Sequence, residues 1–223
     1  MIFTVLGEKS MTKLVLIRHG ESLGNAELVF LGHTDWDLTE TGYKQAELTA
    51  DFLDDMKIDV IYSSDLKRAY NTALPIAKRR NMEIITSKEL REIYAGKWEG
   101  MKFIDIKETY PENHTRWMTD VGNAFCDGGE TVFELQQRVK NELDRIAREN
   151  EGKTVCIATH ATPIRTMLCI WNGLPISEAK NFGWVKNASV TIINYNDDGT
   201  YSIVLEAESA HLRDVPSVEL KNI

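Results

Sequence analysis

The 223-residue chain carries 26 Lys+Arg against 34 Asp+Glu, a formal net charge of −8, with hydrophobic residues at 43% and charged residues at 27%. Such a composition excludes a disordered chain, and a surface of that sign disfavours nonspecific nucleic-acid binding. An anionic small molecule stays open, because a few arginines focused in a cleft outweigh a diffuse negative surface. No apolar run approaches the roughly 18 residues that a spanning helix needs, so no membrane segment is expected.

Met1–Ser10 lacks the basic start and apolar core of a signal peptide. Met11-Thr12-Lys13 reads as an alternative start, which makes residues 1–10 a dispensable extension of one domain covering 1–223. A strand follows at 13–17, then a helix at about 40–55 with Thr39 as N-cap, a strand at 58–62, a helix at about 65–80 and a short strand at 83–86. Residues 91–128 break this rhythm and hold Tyr94, Trp98, Phe103, Tyr110, Trp117 and Phe125. An insertion of this size reads as a lid over the sheet edge, or as a segment whose aromatics pack it onto the domain. A helix at 130–149, a strand at 154–159, a helix at 163–171 and strands near 188–195 and 201–207 complete the chain. Asn196-Asp197-Asp198-Gly199 joins the last two strands as a hairpin. The alternation predicts an α/β/α sandwich: a mostly parallel central sheet with helices on both faces and an antiparallel strand at one edge. Cys126, Cys156 and Cys169 form no CxxC pair, Cys156 reads as a buried structural thiol, and a reducing cytoplasm fits.

Three predicted strands end in chemistry. The run Leu14–Ile17 stops at Arg18-His19-Gly20, the second strand leads through Ser63-Ser64-Asp65 to Arg68, and the third stops at His160 with Pro163 just inside the next helix. Open α/β sheets bind ligands at the carboxyl ends of their strands. Arginine grips phosphate with a two-pronged fork, and histidine can act as a nucleophile or carry protons near neutral pH. Together they point to phosphoryl chemistry.

The chain resembles the histidine phosphatase superfamily, in its phosphoglycerate-mutase-like branch. The resemblance rests on Arg18-His19-Gly20-Glu21-Ser22 with Asn25, Leu38-Thr39-Glu40-Thr41-Gly42 with Gln45-Ala46, and Ser63-Ser64-Asp65-Leu66-Lys67-Arg68-Ala69 with Thr72-Ala73. Leu90-Arg91-Glu92 with Gly96, Gly128-Gly129-Glu130 and the His160 strand follow in the family's order. The resemblance implies that His19 is the nucleophile and forms a phosphohistidine, while Arg18 and Arg68 clamp the transferred group. It implies a protonated His160 as a further donor, and Asn25 and the backbone N–H groups around Ala161 complete the candidate donors. Glu92 takes the family's acid position: a neighbouring phosphate dianion favours its protonated form, and its carboxylate could later deprotonate water. Glu89 and Glu99 are competing carboxylates for that role. His33 reads either as a residue bordering substrate or as an ordinary polar loop residue, and His114 and His211 read as surface residues.

No HExxH or other metal spacing and no GxxxxGK[ST] loop occurs, so neither a metal nor a cofactor is expected. Family mutases resemble one another in a longer insertion and an Asn-Lys segment after the acid. Gly96-Lys97-Trp98-Glu99-Gly100 at that place is more similar to the broad phosphatase group. Ala161-Thr162-Pro163 departs from the Gly-Gly that many relatives carry after the second histidine, which leaves substrate choice open. The sequence thus predicts a metal-independent phosphomonoesterase acting on a small phosphorylated metabolite. A bisphosphate-primed phosphoglycerate-type mutase and a non-catalytic phosphate-binding protein are the alternatives, and the edge hairpin offers a possible homodimer contact.

Overall fold

Alternate residues of the first strand face opposite ways, and here both ways are apolar. Leu14 and Leu16 enter one core while Val15 and Ile17 enter another, all at 1% exposure or less. Only a sheet covered on both faces satisfies that pattern. The computed structural model describes residues 11–196 and 198–215; the proposed dispensable segment 1–10 and Asp197 of the predicted turn lie outside them.

In chain order the elements are β1 (Thr12–Arg18), α1 (Leu23–Ala26), β2 (Val29–Phe30), α2 (Glu40–Phe52), β3 (Val60–Ser64), α3 (Lys67–Arg80), β4 (Ile84–Ser87), β5 (Met101–Lys102), α4 (Phe103–Thr109), α5 (Pro111–Thr119), α6 (Val132–Glu149), β6 (Thr154–Thr159), α7 (Ala161–Trp171), β7 (Val190–Tyr195) and β8 (Tyr201–Glu208). The main sheet runs β4-β3-β6-β1-β7-β8. β4, β3, β6 and β1 are parallel, and β7 and β8 form the antiparallel hairpin at one edge. β2 and β5 make a separate two-stranded pair. Helices α2 and α3 cover the Val15 face with Ala50, Leu53, Ala73 and Ile76; α6 and α7 cover the other with Leu135, Val139, Ile164 and Met167. Among the described residues no helix is long and apolar enough to cross a membrane.

The sequence places several boundaries differently. β3 runs on through Ser63 and Ser64, which look like turn residues yet are fully buried and pair with Ala158 and Ser87. Their hydroxyls are satisfied there: Ser63 Oγ donates to the Ser64 carbonyl at 2.7 Å, and Ser64 Oγ bonds His160. Helix α7 starts at Ala161, two residues before Pro163, whose missing N–H costs nothing in a first turn. Residues 91–128 pack by their aromatics: Phe30, Trp98 and Trp117 meet edge to face with centroids 5.1–6.0 Å apart. The same segment also delivers Phe103 and Trp117 to the cleft described next.

Candidate active site

β1, β3 and β6 all end at one edge of the sheet, and the predicted residues meet there. Arg18, His19, Asn25, Arg68, Glu92 and Ala161 line a single cleft. His160 lies beneath it, fully buried, its ring 5.1 Å from that of His19.

His19 is 5% exposed, and its Nδ1 lies 2.7 Å from the Gly20 carbonyl oxygen. A carbonyl can only accept, so Nδ1 carries the proton and Nε2 of the neutral ring keeps its lone pair. Burial, then the charges of Arg68 and Arg18, hold the ring well below the usual histidine pKa. The backbone around it is pinned. Gly20 N–H donates to Thr72 Oγ1 at 2.9 Å, and that hydroxyl donates to the Arg68 carbonyl at 2.7 Å. The His19 carbonyl accepts from Asn187 Nδ2 at 3.1 Å and from the Ala188 N–H at 3.2 Å.

Arg68, 1% exposed, stands in the first turn of α3 and donates to the Thr34 and Gly32 carbonyls at 2.9 and 2.7 Å. Arg18 donates through Nη1 to the Val185 carbonyl, while its Nε is buried without a partner. Burial lowers both guanidinium pKa values to about 10, against the supporting charge of Glu92. Two buried cations this close are costly unless an anion joins them. His160 donates or accepts through Nε2 at 2.9 Å from Ser64 Oγ, and its Nδ1 is buried and unpartnered. Burial and Arg68 hold it far below the ordinary pKa, so the site itself favours the neutral ring, and a protonated His160 needs an added negative charge beside it.

Geometry chooses among the carboxylates. Glu92 lines the cleft, its Oε1 accepting from Ile93 N–H at 2.8 Å and Oε2 from Thr162 N–H at 3.2 Å. Glu99 is occupied with the His33, Thr34 and Ala95 N–H groups. Glu89 is exposed on the short turn before Arg91. Because Thr162 N–H serves Glu92, the donor left at the start of α7 is Ala161 N–H. Asn25 Oδ1 accepts from Ser22 N–H, Ser22 Oγ and Asn187 Nδ2, each at 3.0 Å, so its amide nitrogen is the group facing other duties.

Of the remaining histidines, His33 is the polar loop residue that one of its two readings expected, while His114 and His211 differ from expectation. His33 does not line the cleft; its Nε2 donates to the Glu92 carbonyl at 3.0 Å. His114 is buried on α5, and His211 stacks on Phe52 with its Nε2 3.2 Å from the Ala188 carbonyl and Thr49 Oγ1. Apolar neighbours outweighed their polarity, so neither is a free surface residue. Sequence reasoning missed Ser64 as the partner of His160, and missed the whole segment Trp184–Ala188, whose residues stand at no strand end and in no motif. No group of three or more His, Cys, Asp or Glu side chains is placed to hold a metal among the described residues.

The family model described as histidine phosphatase superfamily (branch 1) matches residues 14–207. Phosphoserine phosphatase 1 of Hydrogenobacter thermophilus is 39% identical over 187 residues, covering 84% of this chain and 88% of that protein. The metal-independent phosphoserine phosphatase of Arabidopsis thaliana is 34% identical over 193 residues, covering 85% and 79%. The solved structure of Bacillus stearothermophilus YhfR superposes with a TM-score of 0.86 at 30% identity, covering 91% of this chain and 100% of that one. From its strand ends to its cleft, the chain belongs to the histidine phosphatase superfamily.

Proposed function

We propose that the protein is a metal-independent phosphomonoesterase that hydrolyses a small phosphorylated metabolite through a phosphohistidine on His19. The observation that carries this reading is the His19 tautomer: Nδ1–H is committed to the Gly20 carbonyl, leaving Nε2 as a lone pair between two buried arginines and a carboxylate. Attack by Nε2 on phosphorus forms the N–P bond as the ester P–O bond breaks. Glu92, as the general acid, gives a proton to the departing alkoxide. Water then attacks the phosphohistidine, its proton passing to the Glu92 carboxylate, and the N–P bond breaks to release phosphate. Arg18 and Arg68 bind the non-bridging oxygens, helped by Asn25 and the Ala161 N–H, and the catalytic gain comes from charge fixed in place beforehand. A phosphate dianion raises the proton affinity of His160, which then donates as well. The phosphatase names of the relatives support hydrolysis and offer phosphoserine as one candidate ester.

The test is phosphate release from a panel of esters in the presence of EDTA, for wild type and His19→Ala. Turnover that vanishes in the variant, with ³²P trapped on wild-type His19 in acid-labile form, is the expected result. Turnover that survives His19→Ala overturns it, and activity only after bisphosphate priming favours the mutase.

A further inference from the structure

We infer that the leaving alcohol binds against an aromatic wall and is flat and uncharged, which rests on the phosphatase reading above. The cleft has two unlike ends. Every charged side chain lining it (Arg18, Arg68, Glu92) converges on His19, where the phosphoryl group is handled. The rest of the lining is mostly apolar, with Val29, Phe30, Leu31, Phe103, Trp117 and Trp184 beside the uncharged Ser22, Asn25 and Thr162. A zwitterionic leaving group such as serine needs a cation for its carboxylate and an acceptor for its ammonium. Among the described lining residues no further charged side chain is available for either: both arginines serve the phosphate end, Glu92 is the acid, and the other polar side chains, Ser22, Asn25 and Thr162, are uncharged.

The wall is built as a stack. Trp184 lies over Trp117 with centroids 6.1 Å apart and planes at 27°, and Trp117 is wedged edge to face on Phe30 at 5.1 Å. Behind Trp184 sits Arg165 of α7, 6% exposed, its guanidinium carbon 4.3 Å from the indole centroid and its Nε donating to the Ala179 carbonyl at 3.0 Å. The buried cation fixes the indole by a cation–π contact. Its positive charge also repels an ammonium brought beside the indole, while a neutral ring packs against the aromatic wall without that penalty. Arg165 is therefore a positioning residue for specificity, and Trp184 the surface it positions.

Primary alkyl phosphates separate the wall from leaving-group reactivity, since each expels an alkoxide of similar basicity. For 2-phenylethyl phosphate, kcat/KM is expected to exceed that for O-phosphoserine by about tenfold or more. Trp184→Ala and Arg165→Met should pull the ratio toward one, and Trp184→Phe should keep most of it, which separates a lost ring from a misfolded loop. O-phosphoserine turned over as well as the phenyl ester or better overturns this inference and leaves the phosphatase reading standing. No turnover of any ester overturns that reading instead; calorimetric titration of the wild-type protein with 2-phenylethyl phosphate and with O-phosphoserine then decides the wall, tighter phenyl binding supporting it and equal or weaker binding ending it.

Discussion

The Glu92 carbonyl accepts from His33 Nε2 at 3.0 Å and from Arg138 Nη2 at 3.2 Å. Arg138 also donates to the Glu89 and Arg91 carbonyls at 2.7 and 3.2 Å and grips Glu130 with Nε and Nη2 at 2.9 and 2.8 Å. One guanidinium on α6 thus holds the turn that carries Glu92, the proposed acid, without lining the cleft itself. Its removal should act through Glu92. Arg138→Met is expected to lower kcat/KM for primary alkyl phosphates by about 10- to 100-fold, the scale of a misplaced catalytic group. For p-nitrophenyl phosphate the loss should be far smaller, since that leaving group needs no proton and kcat/KM reports only steps up to the phosphohistidine. Arg138→Lys should recover part of the alkyl rate. Equal losses on both esters would show that Arg138 merely holds the fold.

Between elements, a close backbone contact near His19 joins the loop after β1 to the first turn of α2. A Cβ on Gly42 would sit 2.0 Å from the Glu21 carbonyl oxygen, and one on Gly20 would sit 2.6 Å from the Gly42 oxygen. Both obstacles are backbone, so no side chain can swing aside. Gly42→Ala should shift α2 or the catalytic loop and cost about 10² in kcat/KM while far-ultraviolet circular dichroism stays native; full activity would mean that the loop tolerates the shift. This contact shows how far sequence reaches. Leu38-Thr39-Glu40-Thr41-Gly42 is visible as a helix start, and Thr39 Oγ1 does accept from Gly42 N–H at 3.0 Å. What the motif does not show is that Gly42 must be bare so that Glu21 can pass. The layers and strand ends were legible because apolar runs and Arg-His endings are local signals. Trp184, Val185, Asn187 and Ala188 were not, because they lie in irregular chain and meet Arg18 and His19 only through tertiary packing. Buried Ser64 and His114 were misread for a related reason: polarity in sequence says nothing of a partner or a pocket supplied from elsewhere.

Over the whole molecule, burial is the largest influence on each of the five histidines and lowers every one below the ordinary 6.5. Below that value the unfolded chain takes up protons that the folded chain refuses. The resulting stability is fully present above pH 6.5 and is lost as pH falls toward the depressed folded values. His19 and His160, wholly buried, each contribute a slope of up to about 1.4 kcal/mol per pH unit. The urea midpoint should therefore fall steeply between about pH 6.5 and 5, before the carboxylates titrate, and a flat profile over that range would refute the account.

The bond from Arg18 to the Val185 carbonyl spans 167 residues of chain. At about 5–20 residues per second of synthesis, Arg18 and His19 emerge roughly 10–30 s before the segment that seats them. For most of that interval β1 has neither of its two sheet partners, since β6 ends only at Thr159 and β7 at Tyr195. His19, the proposed nucleophile, thus waits unaligned until the closing segment arrives, and a nascent chain should gain activity late and in one step.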